Sequence, residues 1–151
     1  MTRTEFVGLF IAFGVAVWST LMAVPPVSWW LVVDHITVND GVAGQPITMD
    51  VDRTINRTFE GEWRVEVRRM ERGAWESYCT TPTKRQTYEA DAALPDPVTL
   101  EWWAWTEPRC YSLPEGTYRI TTVWTINPGR MVERDLSFTT EPFIIRGGPD
   151  A

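Results

Sequence analysis

Few residues in this chain could carry chemistry. There is one histidine, His35, and there are two cysteines, Cys79 and Cys110. A zinc site draws on clustered Cys and His, and the chain has too few of either to build one. A Ser-His-Asp arrangement or a histidine-activated thiol would have to use His35, which falls in a stretch that reads as solvated strand. The cysteines read better as a pair. An even count in an oxidising compartment invites a disulfide. A bridge would close a loop of about 31 residues, worth roughly 3–4 kcal/mol on the loop-entropy view. Carboxylates are the remaining option. Asp50 and Asp52 share one face of a strand, and Glu60 and Glu62 share one face of the next. Calcium accepts such oxygens, and carboxylate pairs cleave glycosides. Nothing nearby builds a sugar cleft, and Arg64 and Arg68 counter the charge, so the group reads as an exposed sheet face. Asn56-Arg57-Thr58 matches the N-glycosylation triplet, which has meaning only in some hosts. The sequence points to no catalytic residue, no metal site and no cofactor.

Recognition is better served than catalysis. The chain holds nine tryptophans, and three of them fall in Glu101-Trp102-Trp103-Ala104-Trp105. If this run is a strand with Trp102 facing the core, parity turns Trp103 and Trp105 outward. Two exposed indoles are costly in water. Trp103 and Trp105 are therefore the expected contact surface, able to stack on a sugar, pack on a partner or rest on a bilayer, unless a neighbouring loop covers them.

Two kinds of element would hold these residues. The first is an N-terminal helix. Phe6 to Val24 carries no charge, and Ser19 and Thr20 are its only polar side chains. At ~1.5 Å per residue it spans roughly 29 Å, about one bilayer core. Pro25-Pro26 stops it, and Trp29 and Trp30 follow where indoles favour a membrane interface. Arg3 precedes the run, and no Lys or Arg follows until Arg53. That asymmetry predicts a single-pass protein with a cytoplasmic N-terminus and a periplasmic or extracellular C-terminal domain. A cleaved signal peptide or a buried soluble helix are the alternatives.

From Leu31 the period becomes two. Ile47, Met49 and Val51 alternate with polar neighbours. So do Trp63, Val65 and Val67; Val98, Leu100, Trp102 and Ala104; and Tyr118, Ile120, Thr122, Trp124 and Ile126. Further strands are expected over 34–39, 132–138 and 143–145. Turn signals such as Asn39-Asp40-Gly41, Glu71-Arg72-Gly73 and Asn127-Pro128-Gly129 separate them. About seven short antiparallel strands imply an all-β sandwich. Leu113-Pro114-Glu115-Gly116-Thr117-Tyr118 resembles the tyrosine corner of immunoglobulin-like and fibronectin-type sandwiches, with Tyr118 as its phenol. Trp63 then resembles the core tryptophan of the third strand, and Met49 and Ile120 take the places where antibody domains carry cysteines. The resemblance implies a fold and no ligand. The expected organisation is an anchor and interfacial linker over 1–30, an immunoglobulin-like β-sandwich over 31–146 and a disordered tail over 147–151.

Charge narrows the partners. The net charge of −6 opposes nucleic acid, since an acidic domain repels phosphates. The expected function is a membrane-anchored, non-enzymatic interaction or structural module. It would be an accessory subunit of a membrane, envelope or virion assembly with a protein partner. Envelope glycan binding through exposed tryptophans is the alternative.

Overall fold

The computed structural model describes residues 3–23, 25–104, 107–130 and 133–148, with side chains in the first segment from 6 to 20. The apolar run forms α1 (Arg3–Ala23), and its described side chains are all exposed. Among the described residues, no helix is long and apolar enough to cross a membrane. The transmembrane anchor is therefore corrected, and with it the single-pass placement.

Trp29 and Trp30, the residues expected at a membrane interface, follow this helix. A short 3-10 turn (Val27–Trp29) follows Pro26 and folds both indoles onto the β domain. Trp30 packs against the core, and the Arg57 guanidinium lies 5.1 Å over the Trp29 ring. Asn56 clamps this turn, donating from Nδ2 to Ser28 O (2.8 Å) and from its backbone N–H to Trp30 O (2.8 Å).

Two sheets follow. The smaller joins β1 (Leu31–Val38), β3 (Thr48–Ile55) and β7 (Val98–Thr99) in the order β1-β3-β7. The larger is built on two long central strands, β4 (Phe59–Glu71) and β8 (Gly116–Ile126), which pair antiparallel from Gly61–Ile126 to Arg69–Tyr118. Each central strand has a broken return strand. β5 (Ala74–Thr80) and β6 (Lys84–Tyr88) pair with successive parts of β4. β9 (Arg134–Thr139) and β10 (Phe143–Arg146) do the same along β8. β2 (Gly41–Val42) continues the chain from β1 into the larger sheet, parallel to β10.

The two breaks have the same chemistry. Thr81 and Thr140, both buried, sit where the return strands interrupt. Thr81 donates its N–H to Val65 O and accepts the Val65 N–H at Oγ1, each 2.9 Å. Thr140 does the same for Ile120, at 2.9 and 3.1 Å. The hydroxyl supplies the acceptor that the missing ladder carbonyl would have given. Pro82 and Pro142 then keep the strand from running straight.

The core lies between the sheets, where inward parity collects Val65, Val67, Ile120, Ile126, Phe143 and Ile145, all at most 1% exposed. Gly61 lies under a stacked pair, Phe59 and Tyr88, with centroids 4.8 Å apart. A Cβ there would come within 2.8 Å of Phe59 and 2.9 Å of Tyr88, so only glycine fits.

Candidate functional site

The smaller sheet is incomplete on one side. β7 pairs only with Thr48 and Met49, so β3 runs on without a strand neighbour there. Two short helices fill this part of the chain. The run expected to be one strand from Val98 to Ala104 is a strand for two residues and then α2 (Leu100–Trp103). Thr99 caps it, its Oγ1 accepting the Trp102 N–H at 3.2 Å, and Ala104 N–H reaches Leu100 O at 2.8 Å. The period is thus three, not two: Leu100 and Trp103 share the buried face. α3 (Pro108–Tyr111) starts at Glu107, with proline at the first helical position. Cys110 of α3 is disulfide-bonded to Cys79 of β5, Cα atoms 5.5 Å apart. The bridge straps the helical excursion to the larger sheet and marks a non-reducing environment.

The helix reverses the expected roles of the tryptophans. Trp103 is not a contact residue. It is fully buried, edge-on to Trp63 (5.2 Å) and Trp124 (6.0 Å), and its Nε1 donates to Thr122 Oγ1 at 2.9 Å. Trp102 is the ring left 40% exposed, 6.2 Å from Trp63. Trp105, the other expected contact residue, lies outside the described residues.

Beside Trp102 is a concavity of about 140 Å³ lined by Arg53, Trp63, Gln86 and Trp102. Arg53 occupies the core parity of β3, in phase with Met49, Val51 and Ile55. Gln86 is in phase with buried Tyr88 on β6. Both therefore turn polar groups toward the gap that β7 leaves open. The Arg53 guanidinium lies 5.8 Å over the Tyr88 ring, and burial lowers its pKa, opposed by Tyr88. Arg53 Nε is buried with no hydrogen-bond partner, as are Tyr88 Oη and Trp124 Nε1. Burial pushes the Tyr88 phenol up to about 12, against hydrogen bonding from Gln86, the charge of Arg53 and the Trp124 N–H. Sequence reasoning passed over Arg53, Gln86 and Trp102. The readable signal was an arginine and a glutamine at inward positions of their strands.

The remaining candidates are dispersed. His35 is exposed on β1, its Nε2 2.9 Å from Thr37 Oγ1 and 3.9 Å from Asp50 Oδ2. Asp50 and Asp52 are exposed on β3. Glu60 and Glu62 are each met by Arg85 at 4.0 Å, not by Arg64 and Arg68; Arg68 pairs with Glu66 at 2.9 Å. Tyr118 donates to Pro114 O at 2.9 Å, and burial pushes its phenol up to about 12, moderated by Arg69. A larger concavity of about 270 Å³ lies on the outer face of β4 and β8. Within it Thr125 Oγ1 donates to Asp135 at 2.7 Å. Compared with known proteins, the chain matches no family model and no curated sequence.

Proposed function

We propose that this chain is a non-enzymatic binding module on an immunoglobulin-like sandwich, and that it engages its partner through the rim at Trp102. Several features support the immunoglobulin-like build. The first strand pairs in one sheet and then passes to the other as β2, parallel to β10. Trp63 is buried on β4, and Tyr118 closes a corner on Pro114.

The observation that carries the binding role is the state of Trp102. Its neighbours Trp63, Trp103 and Trp124 are at most 4% exposed, while Trp102 keeps a large open face beside Arg53 and Gln86. Indole and guanidinium groups are the commonest anchors of recognition surfaces. The helix α1 suits the same role. It is apolar, and each described side chain is exposed. Such surface needs apolar cover, as a component of a larger assembly would find.

The test compares copurification by the tagged wild-type chain with that by Trp102→Ala, melting followed in parallel. A stoichiometric partner kept by wild type and lost by the variant, at unchanged melting temperature, is the expected result. Equal recovery by both chains refutes the rim as the contact. A glycan is a second reading, favoured by the pairing of a flat indole with two hydrogen-bonding side chains.

A further inference from the structure

We propose that the concavity between β3, β6 and α2 binds a carboxylate-bearing sugar ring, a hexuronate, with Trp102 beneath the ring and Arg53 on the carboxylate. The proposal rests on the Trp102 rim being a recognition surface and names its ligand class.

The guanidinium is the first argument. Arg53 stands at a core-facing position of β3, partly buried, and among the described residues no carboxylate pairs with it. Buried charges are ordinarily paired. Here the counter-charge is absent among the described side chains, and the guanidinium lines a cavity instead. Arginine presents a planar fork that meets a carboxylate through two parallel hydrogen bonds.

A second observation concerns hydrogen bonding. Of the four buried side-chain polar atoms without a partner among the described residues, Arg53 Nε is the one that belongs to the cavity lining, while Tyr88 Oη and Trp124 Nε1 lie close enough to act on each other. Unsatisfied buried groups are rare in folded proteins and mark places where something else supplies the bond. The fourth, Arg119 Nε, belongs to a guanidinium whose Cζ lies 4.5 Å from the Trp75 ring centroid.

Shape and size choose the rest of the ligand. The volume of about 140 Å³ is close to the ~150 Å³ that takes a bare benzene ring, so the concavity holds the carboxylate-bearing edge of one pyranose, leaves the rest of the ring open over Trp102, and is too small for a drug-sized molecule. A pyranose has an apolar C–H face and a polar rim. The exposed Trp102 indole matches the face, and the Gln86 amide can exchange hydrogen bonds with the hydroxyls. An acidic peptide side chain would satisfy Arg53 but bring no ring to Trp102.

The test titrates the full-length, disulfide-bonded chain with three probes: methyl glucuronide, methyl glucoside and N-acetylglutamate. Indole N–H shifts in the NMR spectrum report binding. The expected result is glucuronide binding at least tenfold tighter than either other probe. Arg53→Gln should reduce the glucuronide to the level of the glucoside, Arg53→Lys should lose a part of the preference, and Trp102→Ala should weaken both sugars. The wild-type comparison of probes needs no variant, so a misfolded Arg53→Gln does not shield the proposal. Equal binding of glucoside and glucuronide overturns the carboxylate assignment. N-acetylglutamate binding as tightly as glucuronide overturns the sugar in favour of an acidic peptide. No binding of any probe overturns the proposal outright. The Trp102→Ala copurification experiment is scored separately, so loss of the ligand class and loss of the module reading are distinguishable.

Discussion

Replacing Thr122 by valine tests the centre of the tryptophan cluster. Thr122 is 1% exposed, and its hydroxyl accepts the Trp103 indole N–H at 2.9 Å. Valine keeps the β-branched shape, so β8 and its packing stay filled and no cavity opens. What changes is the acceptor. The Trp103 N–H, on a fully buried ring, is left in an apolar surround without a partner, which costs about 1–3 kcal/mol. With a urea m-value of ~1–3 kcal/mol/M, the midpoint should fall by roughly 1 M with the slope unchanged. A second substitution sharpens the test. Trp103→Phe removes the donor and costs stability through lost volume, but in that background Thr122→Val should cost far less than alone. The double-mutant cycle should therefore show a coupling energy of about 1 kcal/mol or more. Equilibrium unfolding in urea, followed by tryptophan fluorescence and by far-UV dichroism, supplies all four stabilities. A Thr122→Val chain as stable as wild type, or a cycle with no coupling, refutes the assignment of Trp103 to the core.

Other perturbations have equally definite outcomes. Gly61→Ala drives a methyl into the Phe59–Tyr88 stack and should cost about 1–3 kcal/mol as overpacking, read as a lower melting temperature. Reducing the Cys79–Cys110 bridge should remove roughly 3–4 kcal/mol on the loop-entropy view, visible as a urea midpoint that falls with added dithiothreitol. Tyr88 and Tyr118 carry folded-state pKa values of about 12, above the unfolded value of about 10. The fold then favours their neutral forms, so stability is intact below pH ~10 and falls as pH rises from there through ~12. Absorbance titration should find two phenols ionising only near the top of that range, and normal titration of both would overturn the burial argument.

The strand parity of the sequence was informative wherever both neighbours of a strand are regular. Trp63, Val65 and Val67 on β4, and the alternate residues from Tyr118 to Ile126 on β8, all face the core as their period predicts. β5 was not legible, because at the edge of the larger sheet adjacent residues such as Glu76 and Ser77 are both exposed and no alternation survives; β6 alternates in burial but fills its inward positions with Lys84 and Gln86. The stretch 100–103 failed for another reason. Leu100, Trp102 and Ala104 satisfy a period of two, while Leu100, Trp103 and Ala104 satisfy a helical one, and four residues cannot separate them. The Thr99 cap decided it, and with it which indole is open. Arg53 was invisible for a third reason. Its position in phase with Met49 and Val51 conflicted with its charge, and only the missing neighbour of β3 explains how a guanidinium fits there. The N-terminal run was read from apolar length alone, and among the described residues no helix is long and apolar enough to cross a membrane.

The paired threonine breaks have a consequence for the chain's behaviour in a crowd. A sheet border with open N–H and C=O groups is a template on which another copy can grow. Here one border of the larger sheet is β5 and β6 and the other is shared by β9 and β2, and neither is a single straight strand. At each interruption the threonine turns its hydrogen bonds inward to Val65 or Ile120, and Pro82 or Pro142 follows. An incoming strand would find pairing groups for only a few residues before the register breaks. The two kinks therefore act as stoppers against fibril growth, and straightening either one should raise the tendency of this acidic, tryptophan-rich domain to polymerise.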